Sequence, residues 1–144
     1  MKRISYILIA LVALVMAGCK SEKPLIIYEG NLPIKANALY MLGDATPNGW
    51  DNNNPTPLVA SEDDHLVFTY DGELYTGEIK LCLVPGSWNV AFIRPAQDQR
   101  AISKTDITDE EFVMYAGDPD NKWRVKDGGN YRLVFNLRNW TMST

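Results

Sequence analysis

Apolar positions in this chain come in short clusters, punctuated by Gly, Pro, Asn and Asp, with one long exception at the N-terminus. There Lys2 and Arg3 precede an almost unbroken apolar run over residues 4–18. Such a run is too short for a comfortable membrane span and suits the apolar part of a signal peptide. Residues 20–35 read as a tether, polar at first and then carrying Pro24, Gly30 and Pro33, with Leu25-Ile26-Ile27-Tyr28 a candidate short strand inside it. From residue 36 onward the pattern is β. Residues 39–42 form an apolar run that stops at Gly43-Asp44, and residues 66–74 are rich in β-branched and aromatic side chains. Tyr75-Thr76-Gly77 then reads as a hairpin turn with residues 78–84 as the return strand. Residues 90–93 predict a strand ended by Pro95. Residues 122–125 and 131–137 predict two more, joined across the turn Asp127-Gly128-Gly129-Asn130, and residues 140–143 an edge strand. Helical pattern is confined to residues 106–114, where Thr108 and Glu111 resemble a capping box and predict one turn at most. Short strands at this spacing, over roughly 109 residues, predict an all-β fold, an antiparallel immunoglobulin-like β-sandwich.

The apolar leader ends at Met16-Ala17-Gly18-Cys19, small residues directly before a cysteine. This resembles the lipobox of bacterial lipoproteins, in which the cysteine is acylated and becomes the first residue. The implied organisation is a signal peptide over 1–18, lipidated Cys19 and a tether over 19–35, and one β-sandwich over 36–144. Acyl chains on Cys19 would hold the protein to a lipid bilayer by burying methylenes. That leaves Cys82 without an intrachain partner. It stands in an apolar run, where a lone cysteine reads as a small buried hydrophobe.

Charge narrows the choice of partner. A formal charge of −4 and a pI near 4.9 argue against nucleic acid, which requires a basic face. The sequence also offers little for catalysis. The chain has one histidine, His65, beside Asp63 and Asp64 at a strand start, and it reads as a solvated loop end. No nucleophile motif accompanies it. Carboxylate pairs are easy to propose among eighteen acids, but none is specific. Asp109-Glu110-Glu111 suits a helix start. Asp118, Asp120 and Asn121 suit a turn better than a calcium site, and no clustered ligands point to a metal or cofactor.

Alternation along 78–84 sends Ile79, Leu81 and Leu83 to the core and Glu78, Lys80 and Cys82 to the opposite face. Trp88 follows Lys80 across the Pro85-Gly86 turn, and Trp50 lies in a long polar loop between Asn48-Gly49 and Asp51-Asn52-Asn53-Asn54. These three are expected to converge at one edge of the sandwich. Two open indoles with a cation between them make a platform for the apolar C–H face of a pyranose ring, whose hydroxyls need fixed donors. Trp123 reads as core and Trp140 as packing or edge cover.

The segment Leu39-Tyr40-Met41-Leu42-Gly43-Asp44-Ala45-Thr46-Pro47-Asn48-Gly49-Trp50-Asp51 resembles the opening of domains in the SusE/SusF family of outer-membrane starch-binding lipoproteins. Further matches follow in order over residues 38–143: Gly77-Glu78-Ile79-Lys80, Gly86-Ser87-Trp88, Phe92-Ile93-Arg94-Pro95, Asp120-Asn121-Lys122-Trp123, Gly129-Asn130-Tyr131 and Asn136-Leu137-Arg138-Asn139-Trp140-Thr141-Met142. The resemblance implies a carbohydrate-binding-module-like sandwich that binds α-1,4-glucan or starch-type oligosaccharides without cleaving them. It also implies a place at the outer membrane, lipid-anchored at the cell surface beside a transporter complex for polysaccharide uptake. The site is similar in kind to the glycogen-binding domain of the AMP-activated kinase β subunit, where a loop Trp, a strand Lys and a second Trp hold the glucan. The expected glycan-binding residues are thus Trp50, Lys80, Trp88 and Arg94, with Asn48 and Asn89 as weaker candidates. The rival reading is a structural or partner-binding accessory lipoprotein whose tryptophans pack or sit at a protein interface.

Overall fold

A computed structural model describes residues 36–144; the leader, Cys19 and the tether lie outside the described residues. The described chain forms β1 (Tyr40–Leu42), β2 (Thr56–Pro57), β3 (Val59–Ala60), β4 (Val67–Leu74), β5 (Gly77–Cys82), β6 (Phe92–Pro95), β7 (Arg100–Ile102), β8 (Glu110–Tyr115), β9 (Trp123–Val125), β10 (Gly129–Asn136) and β11 (Thr141–Ser143). Hydrogen bonding runs along one path, β2-β1-β5-β6-β8-β11-β10-β4-β3, with β9 beside β5 and β7 beside β9. The pairing of β7 with β9 is parallel, and the pairings along the path are antiparallel.

The path turns at β8. Phe112–Tyr115 pair with β6, whereas Glu110 and Glu111 pair with β11. At the far end β2 and β3 are separated only by Leu58, whose N–H donates to Leu39 O at 2.9 Å. The two halves therefore face each other and are bridged on both sides. The result is the all-β antiparallel sandwich that the pattern predicts, drawn close to a barrel.

Alternation explains which side chains fill it. Tyr131, Leu133 and Phe135 of β10 and Phe68, Tyr70 and Leu74 of β4 are buried. The residues between them face out, and there Arg132 pairs with its register partner Asp71 at 3.0 Å. The halves lock where the Trp123 ring of β9 meets Phe135 edge-on at 5.7 Å and Phe112 of β8 approaches Phe135 at 6.2 Å. Aromatic burial of this kind dominates a small core.

Three local expectations are corrected. Residues 75–77 do not close a hairpin: β4 pairs with β3 and β10, whereas β5 pairs with β1, β6 and β9. The chain crosses between halves there, and again at 127–130, where β9 lies beside β5 and β10 beside β4. Alternation records only that each strand has a buried face, and a crossover and a hairpin satisfy it equally. The helical turn over 106–114 is absent. Asp106 and Asp109 take left-handed backbone (φ 79° and 48°), which stops helix propagation, and the chain from Glu110 on is β8, with ladder partners in both halves.

Candidate functional site

The site is built on β1, β5 and the loops that roof them. Gly43 ends β1 with φ 146°, and a Cβ added there would lie 1.8 Å from Glu78 O, so only glycine lets the two backbones meet. Asp44 Oδ1 accepts the Glu78 N–H at 2.6 Å. Thr46 donates through its hydroxyl to Gly43 O at 2.8 Å, Gly43 N–H donates to Gly49 O at 3.0 Å, and Gly49 N–H donates to Thr46 O at 3.1 Å. The segment from Gly43 to Gly49 is therefore a self-bonded loop that delivers Trp50 onto Leu42, Cys82 and Phe92, beside Tyr40 and Val90.

Asn52 ties this loop to the one that carries Trp88. Its Nδ2 donates to Ser87 O at 2.8 Å, while Gly86 N–H donates to Asn52 Oδ1 at 3.2 Å and to Asn52 O at 2.8 Å. Trp88, 53% exposed, stacks on Phe92 with centroids 6.0 Å apart and planes 29° apart. Between the loops lies Lys80, on the face opposite Ile79 and Leu81 as alternation requires. That face is roofed, so β5 is buried on both sides. Lys80 Nζ stands 4.2 Å from the Phe92 centroid, 5.4 Å from Trp88 and 5.9 Å from Trp50. Ammonium and rings attract one another through the ring quadrupoles.

The charge of Lys80 is answered by Asp120 on the loop between β8 and β9, at 2.8 Å. The same carboxylate lies 3.4 Å from Arg94 Nη1 and 3.0 Å from Lys122 Nζ. Partial burial pushes the Asp120 carboxyl up, but the hydrogen bonds and charges of Lys80 and Lys122 outweigh it and hold it below the ordinary carboxylate value. Arg94 holds the loop itself. Its Nη1 donates to Gly117 O and Pro119 O, both at 2.8 Å, and its guanidinium lies 4.6 Å from the Tyr115 ring. Tyr115 also donates to Pro119 O, and Asn121 Nδ2 donates to Pro95 O at 3.2 Å.

Trp50, Lys80 and Trp88 thus come together. Arg94 joins them from behind, with its side chain buried and directed at backbone carbonyls. Asn48 and Asn89 lie on the same two loops as the indoles and are tied locally: Asn48 Nδ2 donates to Asn54 O at 3.0 Å, and Asn89 N–H donates to Ser87 Oγ at 3.2 Å. Trp123 is core, and Trp140 packs on Phe112 at 5.6 Å. Cys82 is fully buried, and burial pushes its thiol up to about 11, which leaves it unreactive. Among the described residues no three His, Cys, Asp or Glu side chains gather as a metal-ligand set.

Sequence reasoning missed Asn52 and Asp120. Nothing separates Asn52 from its two asparagine neighbours in sequence. Asp120 had a fainter signal: a lysine that alternates onto a roofed face requires a carboxylate nearby. Chemically, the arrangement offers an apolar aromatic face above a buried ammonium, with a carboxylate at its edge. Compared with known protein families, with curated proteins and with solved structures, the chain matches none.

Proposed function

We propose that this protein is a non-catalytic glycan-binding lipoprotein of the SusE/SusF kind, taking α-1,4-glucan or starch-type oligosaccharides. The observation that carries the reading is the placement of two indoles, Trp50 and Trp88, around one Lys80 ammonium, with Trp88 open to solvent. The indoles stack on the C–H faces of successive sugar rings, and Lys80 holds positive charge beneath them. Asn48 and Asn89, on the loops that carry Trp50 and Trp88, would serve as hydroxyl partners, while Arg94 acts by bracing the neighbouring loop. Acylated Cys19 anchors the domain in the outer membrane, at the cell surface, where it supports polysaccharide uptake beside a transporter complex. A shallow site buries few ligand atoms, so single-site affinity is low, and clustering on the membrane raises it by avidity.

Calorimetric titration with maltoheptaose tests the reading. Binding that Trp88→Ala abolishes, with the circular dichroism spectrum retained, is the expected result. The second reading, a partner-binding accessory lipoprotein, is favoured by one observation: the β5–β6 connection carries two exposed large apolar side chains, Val84 at 56% and Trp88 at 53%. Absence of heat with maltoheptaose and with a panel of other polysaccharides would leave that reading in place.

A further inference from the structure

The two loops that carry the indoles are joined through one residue. Among the described residues, every hydrogen bond between residues 43–55 and residues 83–91 involves Asn52. Its Nδ2 donates to Ser87 O at 2.8 Å, and Gly86 N–H donates both to its Oδ1 at 3.2 Å and to its main-chain O at 2.8 Å. Asn52 lies two residues after Trp50, and Ser87 directly precedes Trp88. The Asn52 side of the stitch is itself braced: Asn53 N–H donates to Asp51 Oδ1 at 3.0 Å and Asn54 N–H to Asp51 O at 3.1 Å. A buried amide whose donor and acceptor ends must meet fixed partners at once is geometrically specific, and at 5% exposure little water competes for those partners. Trp50 is packed at its base on Leu42, Cys82 and Phe92, whereas Trp88 is half exposed on its loop. The freedom that the stitch removes is therefore chiefly that of the Trp88 loop.

We infer that Asn52 is a positioning residue: it fixes Trp88 relative to Trp50 before a ligand arrives, and so makes the site select oligosaccharides that cover both indoles over single sugars. The inference rests on the glycan-binding reading and deepens it. One pyranose covers one indole, and a chain of sugars covers both. What the chain gains over the single sugar depends on the second indole standing where the chain puts its next ring. With the loops joined beforehand, the second contact is made without ordering anything. With the loops free, the cost of ordering them falls on chain binding and leaves the single-sugar contact nearly untouched. Asn52 touches no ligand in this account and acts only through the placement of Trp88.

The test compares two ligands on the full chain, well below the melting temperature. Affinities for methyl α-glucoside, one ring, and for maltoheptaose are measured by NMR shift titration for the wild type and for Asn52→Ala. The ratio of the two affinities is expected to fall by about tenfold in Asn52→Ala, with the loss concentrated in maltoheptaose. A merely structural role lowers stability and leaves that ratio intact, because the folded protein binds both ligands as before. Should Asn52→Ala fail to fold, hydrogen exchange on the ligand-free wild type decides. Gly86 N–H is expected to exchange at least about a hundredfold more slowly than an open-chain amide. Exchange at the open-chain rate, or an unchanged affinity ratio in folded Asn52→Ala, overturns the inference and leaves the platform reading standing. Failure of the wild type to bind maltoheptaose overturns both.

Discussion

Asn52 is the residue on which the relative placement of the two indole loops depends, and its replacement has a calculable cost. Asn52→Ala removes the Nδ2 bond to Ser87 O and the Oδ1 acceptor of Gly86 N–H. Gly86 N–H retains Asn52 O at 2.8 Å, so that donor stays satisfied, while Ser87 O loses its partner. Each lost bond is worth about 1 kcal/mol net, for a total near 2 kcal/mol. In a domain of roughly 109 residues this lowers Tm by about 8 °C. Asn52→Asp is the sharper probe. It keeps the acceptor for Gly86 N–H but turns a carboxylate oxygen toward Ser87 O, at a position only 5% exposed. At neutral pH it therefore costs more than alanine. The burial and the facing carbonyl raise the folded pKa of the new carboxyl, so the deficit shrinks as pH falls and the acid form donates to Ser87 O. Thermal denaturation followed by circular dichroism at pH 7 and at low pH reads both effects. A Tm for Asn52→Ala within about 1 °C of wild type, or an Asn52→Asp variant no worse than the alanine one at pH 7, would falsify the stitched-loop account.

Two glycines of one loop should behave differently. Gly43→Ala drives a Cβ to 1.8 Å from Glu78 O and is expected to cost about 4 kcal/mol or more, whereas Gly49 (φ 63°) has open space around it and Gly49→Ala costs about 1 kcal/mol, both read by chemical denaturation. Trp88→Ala removes a half-exposed ring and is expected to lower stability by about 1 kcal/mol, against about 3–5 kcal/mol for the buried Trp123; equal losses in urea melts would contradict the assignment of one to the rim and the other to the core. Asp120 has a folded pKa below its unfolded one, so its stabilisation is fully present above the unfolded value, about 3.9, and is lost as pH falls through the folded value. The stability gap between wild type and Asp120→Asn should therefore be widest near neutrality and close in acid; a gap independent of pH would remove the ion cluster from the account.

Much of the fold was legible because β-strands announce themselves by period. The alternation of Ile79 and Leu81 identified a strand and its inward face, and the apolar run over 131–137 identified β10. Connectivity was less legible. Thr76-Gly77 and Gly128-Gly129 punctuate the chain as hairpin turns do, yet both carry crossovers, since turn residues specify a local bend and not the sheet that the next strand joins. At 106–114 the local capping pattern yielded to ladder partners on two sides, a tertiary gain that outweighs a marginal helical turn.

The sequence by itself determined an all-β chain, the two faces of β5, and the grouping of Trp50, Lys80 and Trp88, because each follows from spacing along one strand or from residues whose chemistry suits a loop. Only the tertiary structure decided that Lys80 is sealed beneath the indoles, that Arg94 grips carbonyls of the loop between β8 and β9, and that Asp120 and Asn52 hold the arrangement together. Those partners lie tens of residues apart in the chain. Burial and ion pairing depend on which loops fold over which face, and no local pattern encodes that.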